Sequence, residues 1–339
     1  MTRTLIMLSL ALLLAGASFF LLSNDGKDGP ARVSQAGTDR QFAYENTEDI
    51  YRILVADRRN NSVTLTRGGI TGWLVDGKYP ANENVMKNLL DAVERIDIRT
   101  LPARAAVPVL VRGLATSGIL VQLFNREGEK LRGYYIGGGV QGELGTSAIV
   151  EGSENPYIVH LQNFTGNLRA RFNHRGDEWR SKVVLRSDPD RVELLSVDYP
   201  LQQGRSFVLT REGEGYVLRN PYRGAESQRE VARGVAEGIL SRFEELYVSR
   251  FENQDEEFRP LAAQAPPFAS IRLREAGGTE QTLEVHPSYR RGYTTDTKSG
   301  EIIDLSGVSA YRGFANDGRD WVLFSDNTLE PLFVTYESF

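Results

Sequence analysis

The sequence predicts an α+β protein: an N-terminal transmembrane helix, then two tandem, similar modules of antiparallel sheet, each covered by a helix. An uncharged apolar run lies near the N-terminus, a strand–strand–helix pattern occurs twice, and alternating apolar residues flank glycine-containing turns in both halves. We expect an anchor at residues 1–23, a flexible tether at 24–44, a first module at 45–187 and a second module at 188–339.

The apolar run extends from Leu5 to Leu22 and contains no charged residue. A helix of this length spans about 27 Å, close to the ~30 Å hydrocarbon core of a bilayer. The triplet Ala15-Gly16-Ala17 also fits signal-peptidase cleavage, but the run continues beyond the length of most secretory leaders. We expect an uncleaved anchor, with cleavage after Ala17 or a buried core helix as the alternatives.

Flanking charge predicts the orientation of this anchor. Arg3 precedes the run, whereas Asp25, Lys27 and Asp28 follow it without net positive charge. Because positive flanks stay in the cytoplasm, the body of the chain is expected on the far side of the membrane. Residues 23–40 are rich in Gly, Asp and Ser and poor in large apolar residues, which is typical of a flexible tether.

Composition excludes several classes of protein. The formal net charge is −5, so the chain lacks the excess positive charge of a nucleic-acid-binding protein. The sequence contains no cysteine, which excludes disulfides, thiolate catalysis and sulfur-ligated metals. Hydrophobic residues make up 40% and charged residues 25%, as in an ordinary globular body.

The two halves share a series of features in the same order. Leu65-Thr66-Arg67 and Leu209-Thr210-Arg211 end a second strand in each half, 144 residues apart, and a glycine–aromatic pair follows each. Next comes an amphipathic helix, whose apolar face is predicted to contain Val85, Leu89, Val93 and Ile96 in the first half and Val231, Val235, Ile239 and Phe243 in the second. This order predicts an internal repeat, with a single large mixed sheet as the alternative.

Local signals define the ends of these elements. Asn82 or Asn84 is a suitable N-cap for the first helix, and Ser227 for the second. Hairpins are predicted over residues 118–138 and 269–288, where alternating apolar residues flank a turn that contains glycine.

These patterns resemble a known family. The segments "VTLTRGGITGWLV", "LRGYYIGG", "NPYIVHL" and "DEWRSKVV", together with the anchor, are similar to an uncharacterised bacterial family of membrane-anchored proteins with a domain of unknown function. The resemblance covers nearly all of residues 45–339. Its members are often encoded beside gliding-type ABC transporter components, so it implies a bacterial inner-membrane protein with membrane partners. It assigns no catalytic residues.

Two segments contain candidate ligand or partner contacts. Gly137, Gly138 and Gly139 lie in a glycine-rich stretch, residues 134–147, that lacks the lysine of a P-loop. We expect a hairpin or lid-like loop whose free backbone amides would suit a small anion. In the second segment, Arg175, Trp179 and Arg180 would bind a partner peptide or a glycan. The alternative is that Trp179 packs internally and Arg180 pairs with an acid.

No catalytic, metal-binding or cofactor-binding residues are predicted. The three histidines, His160, His174 and His286, are far apart in sequence and form no zinc motif. The sequence therefore favours a non-enzymatic binding or assembly subunit of an envelope complex. Its expected partners are the inner membrane, through Leu5–Leu22, and other membrane or envelope proteins such as an ABC-type transporter. The alternatives are an enzyme acting on glycan or peptidoglycan and a periplasmic sensor of a small anion.

Overall fold

The computed structural model describes residues 39–59, 61–140, 145–172, 176–290, 293–295, 302–304 and 307–339. The predicted anchor and the part of the predicted tether before Asp39 lie outside these residues. No helix in the part of the chain that the structure describes is long and apolar enough to cross a membrane.

The regular secondary structure of the described residues is mostly antiparallel sheet, with a few helices, so the α+β prediction is confirmed at this level. The α-helices are α1 (Glu83–Arg95), α2 (Val107–Ser117), α3 (Arg233–Leu240), α4 (Phe258–Ala262) and α5 (Asp326–Leu329). The strands before α3 are β1 (Arg52–Ala56), β2 (Ser62–Arg67), β3 (Trp73–Val75), β4 (Tyr79–Pro80), β5 (Asp97–Thr100), β6 (Ile119–Phe124), β7 (Lys130–Gly139), β8 (Thr146–Val150), β9 (Tyr157–His160), β10 (Val183–Arg186), β11 (Val192–Asp198), β12 (Phe207–Glu212), β13 (Gly215–Arg219) and β14 (Arg229–Val231). The later strands are β15 (Glu245–Tyr247), β16 (Arg250–Phe251), β17 (Ala269–Glu275), β18 (Glu280–Arg290), β19 (Tyr293–Thr295), β20 (Ile302–Asp304), β21 (Gly307–Ala315) and β22 (Asp320–Phe324).

The chain divides into two compact units. The described residues of the first unit fall within 39–62 and 90–172, and those of the second unit fall within 63–89 and 173–339. In the first unit the strand order is β1-β6-β7-β8-β9-β5. In the second unit β2, β3 and β4 pair in sequence, and a separate sheet has the order β14-β13-β12-β11-β17-β18-β21-β22-β16.

The nine-stranded sheet that runs from β14 to β16 repeats the strand orders found earlier in the chain. Its stretch β11-β17-β18-β21-β22-β16 corresponds strand by strand to β1-β6-β7-β8-β9-β5, and β14-β13-β12 corresponds to β4-β3-β2. An internal repeat predicts such a correspondence. The predicted module boundary between residues 187 and 188 stays a prediction.

Both predicted hairpins form. Strands β6 and β7 pair antiparallel with Val121 opposite Tyr134, and β17 and β18 pair with Ile271 opposite Leu283. The second hairpin turns at Gly277 and Gly278, which have φ angles of 100° and 84°. These left-handed backbone conformations are strained for residues that carry a Cβ atom, so the glycines fix the turn.

The first predicted helix cap is confirmed and the second is wrong. The Oδ1 atom of Asn82 accepts hydrogen bonds from the backbone amides of Asn84 and Val85 at the start of α1. Ser227 instead ends a short 3-10 turn, and its hydroxyl donates to the carbonyl oxygens of Gly224 and Asn220. Because β14 intervenes, α3 begins only at Arg233, five residues later than the cap prediction requires.

This later start also changes the apolar face of α3. Val231 lies in β14, and Val235 is exposed rather than buried. The buried residues of α3 and the 3-10 turn that follows it are Ala236, Ile239, Leu240 and Phe243. They join a core cluster that includes inward-facing residues of β11, β12, β17 and β18.

Each strand order contains a second helix that the sequence did not predict. Helix α2 lies between β5 and β6, and α4 lies between β16 and β17. The two helices therefore occupy corresponding places in the repeated order. Both contain large apolar residues with exposed side chains, including Val109 in α2 and Leu261 in α4.

Candidate functional site

The structure places the three candidate glycines in a strand rather than a loop. Gly137, Gly138 and Gly139 form the end of β7, and β8 begins at Thr146. Residues 141–144, which lie between these strands, are outside the described part of the chain. Because β7 and β8 pair antiparallel, the hairpin form of the expectation is confirmed, and the glycines lie in its first strand rather than in a lid-like loop.

Cross-strand packing accounts for two of these glycines. A Cβ atom at Gly137 would overlap Ser147 Oγ and would lie 3.0 Å from a methyl carbon of Leu114 in α2. At Gly139 it would lie 3.2 Å from Asn167 Nδ2. Ser147 Oγ donates to the carbonyl oxygen of Gly138, at 3.1 Å, so this polar side chain is used internally. Close packing thus accounts for Gly137 and Gly139 without a ligand.

The second candidate segment lies in the interior of its unit. Arg175 is outside the described residues. Trp179 and Arg180 leave only 1% and 4% of their surface exposed. This burial favours the alternative interpretation, in which Trp179 packs internally and Arg180 pairs with an acid.

Arg180 forms a buried ion pair with Asp320. Arg180 Nη2 donates to Asp320 Oδ2 at 2.7 Å, and Arg180 Nη1 donates to Asp320 Oδ1 at 3.1 Å. Arg180 Nη1 also donates to Asp177 Oδ1 at 2.9 Å. The guanidinium carbon lies 3.6 Å from the ring centre of Tyr79 and 4.0 Å from that of Phe251, so two aromatic faces enclose the cation.

Asp320 is held in its charged form by several donors. Burial raises the pKa of its carboxyl, but hydrogen bonds from Arg180, Asn316 and Asn253 outweigh burial, and the pKa lies below its ordinary value. The amide nitrogens of Asn316 and Asn253 lie 2.7 Å and 2.9 Å from the carboxylate oxygens. These contacts describe a structural ion pair whose carboxylate is already fully engaged.

A cavity of about 220 Å³ lies beside this ion pair. Its lining includes the cations Lys78, Arg186 and Arg319. Asp320 is the sole carboxylate among the described lining residues, so this cavity does not bring two carboxyls together as a glycosidase requires. Elsewhere in the described residues no group of three or more His, Asp or Glu could hold a metal ion.

A larger, apolar groove of about 630 Å³ lies elsewhere in the second unit. This volume falls within the range of ordinary ligand-binding sites. The residues that line the groove are Leu201, Gln202, Phe258, Leu261, Ala262, Ala265, Pro266, Phe268, His286, Pro287, Ser288, Tyr289 and Trp321. The described lining residues include no Asp, Glu, Lys or Arg.

Four of the groove residues are large, apolar and exposed: Phe258, which exposes 45% of its surface, and three that are exposed further. Leu201, Leu261 and Tyr289 expose 76%, 64% and 72% of their surfaces. Exposed apolar residues that cluster around a concave surface mark a binding site more often than scattered ones do. We call these three side chains the groove rim.

Hydrogen bonds fix the α4 side of the groove. Asp255 Oδ1 accepts from the backbone amides of Glu257 and Phe258 at the start of α4, and Asp255 Oδ2 accepts from Trp321 Nε1 at 3.0 Å. Glu252 Oε2 accepts from Arg312 Nε at 2.7 Å. The segment that carries α4 is therefore tied to β21 and β22, and the groove is formed before any partner binds.

His286 lies against the floor of the groove. Only 8% of its surface is exposed, and its ring packs against Phe314 and Trp321 at centroid distances of 5.8 Å and 6.1 Å. Its Nε2 atom is buried and has no hydrogen-bond partner among the residues that the structure describes. Burial lowers the pKa of the imidazole, so His286 is neutral at pH 7.

This burial predicts a pH effect on stability. In the unfolded chain His286 titrates near pH 6.5, whereas burial makes the folded imidazole harder to protonate. The neutral imidazole therefore contributes fully to stability above about pH 6.5. This contribution is lost as the pH falls through the folded pKa. We expect the melting temperature to fall between pH 7.5 and 5.5, and to fall less in His286→Gln. Thermal melts of both proteins at several pH values test this, and parallel curves would contradict it.

Comparison with known families adds one result. Residues 73–266 match the family described as Domain of unknown function (DUF4340). The chain belongs to this family. The DUF4340 match includes Trp179, Arg180 and α4, and it ends before His286 and Trp321. No curated protein and no solved structure matches the chain.

No pattern in the sequence predicted the groove. Its lining comes from the turn after β11, from α4, from the end of β18 and from β22. The DUF4340 match therefore contains only part of it. One usable signal was present: "FRPLAAQAPPF", residues 258–268, is apolar but has neither strand alternation nor a full helical period.

Proposed function

We propose that this chain is a membrane-anchored, extracytoplasmic subunit that binds a partner protein in an envelope complex and catalyses no reaction. The observation that supports a binding role best is the preformed, uncharged groove with its exposed rim of Leu201, Leu261 and Tyr289. The apolar run Leu5–Leu22 supports the anchor. The family resemblance suggests an ABC-type transporter of the bacterial inner membrane as the partner.

The proposal includes two tandem copies of one module as the body of the chain. The corresponding strand orders support this duplication. A duplicated sheet body would carry binding surfaces on the segments that connect its strands, where substitutions disturb the core least. The groove is built largely from such segments.

The chemistry of the groove favours an apolar peptide segment over a glycan or an anion. Glycan sites rely on polar side chains, and anion sites rely on cations or free amides. The groove instead offers aliphatic and aromatic surface with a neutral imidazole at its floor. Partner side chains such as Leu or Phe would bury the rim residues and gain hydrophobic free energy.

Photocrosslinking in intact cells tests this function. With a photoreactive residue at Gln202, we expect one defined envelope protein to be captured, and capture to fall about tenfold or more in Leu261→Ser/Tyr289→Ser. The matched control is Ile70→Ser/Tyr222→Ser, which removes exposed apolar side chains of the same unit outside the groove. Recovery of this chain alone, or equal loss in both variants, would end the proposal.

A further inference from the structure

Helix α2 in the first unit leaves apolar side chains exposed. Leu114 is the buried residue of this eleven-residue helix. Val109 and Leu101, which lies just before the helix, expose 67% and 62% of their surfaces, and Val111 exposes 38%. The helix thus buries one side chain and exposes other apolar side chains to water. Burying these exposed side chains against a partner would be favourable.

The same segment is positively charged. Between Asp97 and Glu127 the sequence contains four arginines and no acidic residue. The whole chain has 45 acidic residues in 339, or about four in a stretch of 29, and its net charge is −5. A cationic stretch in an acidic chain indicates a local role for the positive charge.

The arginines beside the apolar residues are available to an outside ligand. Arg99, Arg104 and Arg112 are exposed. Among the described residues, no carboxylate forms an ion pair with any of the three. We define the α2 patch as Arg99, Leu101, Arg104, Val109, Val111 and Arg112.

We propose that the α2 patch binds the surface of an anionic lipid bilayer. Aliphatic side chains of the patch would enter the boundary between headgroups and acyl chains, and its arginines would contact lipid phosphates. An anionic bilayer offers an apolar layer for the aliphatic side chains and negative charge for the arginines, and it needs no shape complementarity with the patch. A protein partner would have to present acidic and apolar groups in one matching arrangement.

This inference is independent of the groove, which lies in the second unit. It also differs from the proposed anchor, because it concerns residues 99–112 and a peripheral contact. If the chain were anchored through Leu5–Leu22 but the α2 patch never touched lipid, the proposed anchor would stand and the proposed role of the α2 patch would be refuted.

The absence of cysteine makes a site-specific test possible. In the purified full chain, Val109→Cys is labelled with the polarity-sensitive fluorophore NBD and mixed with vesicles of phosphatidylcholine alone or of phosphatidylcholine and phosphatidylglycerol at about 3:1. The matched control is Val235→Cys, an exposed valine on helix α3 beside mixed charges. We expect at least a twofold rise and a blue shift of NBD emission at position 109 with anionic vesicles only, and unchanged emission at position 235.

Arginine variants test the contribution of charge. Each juxtamembrane arginine contributes about fivefold to binding of an anionic surface, so Arg104→Gln/Arg112→Gln should raise the half-saturating lipid concentration by about 25-fold. Circular dichroism melts confirm that these exposed substitutions leave the fold intact. Unchanged emission at position 109 while flotation shows the chain on the vesicles, or the same shift at both positions, overturns the proposal. So does a shift that appears only when a protein partner is added.

Discussion

Replacing Arg180 with methionine is expected to lower the free energy of unfolding by about 3–5 kcal/mol. The side chains of Arg180 and Asp320 are 5% and 3% exposed, so the substitution leaves a buried carboxylate without its cation. It also removes the positive charge that lies between the rings of Tyr79 and Phe251. Urea-induced unfolding, followed by tryptophan fluorescence, measures the loss.

The matched control for this substitution is Arg233→Met. Arg233 Nε lies 2.6 Å from Glu237 Oε1, but the arginine side chain is 60% exposed. An exposed pair contributes about 0–1 kcal/mol, so this variant should unfold almost as the parent does. Equal losses in both arginine variants would show that burial of the Arg180 ion pair has no energetic consequence.

A double variant separates the unpaired charge from lost packing. If the cost of Arg180→Met comes from the uncompensated carboxylate, adding Asp320→Leu should restore part of the stability. The lowered pKa of Asp320 also means that its ionised carboxylate stabilises the folded state. This contribution to the free energy of unfolding is present above about pH 4 and is lost as the pH falls through the folded pKa. A double variant less stable than Arg180→Met would contradict this reasoning.

Replacing Trp321 with alanine should cost about 3–5 kcal/mol. The side chain is 1% exposed, and its ring centre lies 4.7 Å from that of Phe314. Its Nε1 donates to Asp255, whose Oδ1 accepts from the amides at the start of α4, so the substitution also detaches the α4 side of the groove from β22. Equilibrium unfolding gives the stability, and photocrosslinking at Gln202 reports the groove.

Two further variants make this result interpretable. Trp321→Phe retains an aromatic ring but loses the hydrogen bond to Asp255, so we expect a smaller loss of about 1–2 kcal/mol. Tyr222→Ala removes an aromatic ring that is 49% exposed and should change stability by about 0.5 kcal/mol or less. The interpretation fails if Trp321→Ala is no more damaging than Tyr222→Ala.

The features that local sequence patterns determine were predictable. Alternating residues around Gly277-Gly278 identified the β17–β18 hairpin because strand period and turn chemistry are local properties. Asn82 was identified as a cap for the same reason. The Ser227 prediction failed because a serine followed by an apolar period also fits a short turn and a strand, here β14, before the helix.

The candidate sites were less predictable because distant residues form them. Arg180 and Asp320 are 140 positions apart, so the sequence indicated an acid partner without identifying which acid. The groove joins Leu201 to Trp321, and no local pattern connects these residues. Gly137 shows the reverse case: a local glycine signal suggested a loop, whereas the side chain of Ser147 on the neighbouring strand requires a small residue there.

The corresponding places of α2 and α4 in the repeated strand order have an evolutionary consequence. Duplication of an ancestral unit, as proposed above, would let each crossover between an outer and a central strand diverge separately, because neither is needed to hold the other copy together. The crossover before β6 contains a short aliphatic helix beside arginines, and the crossover before β17 lines an uncharged groove beside acidic residues. Under the two proposals, one architecture would carry two different binding surfaces without any new strand.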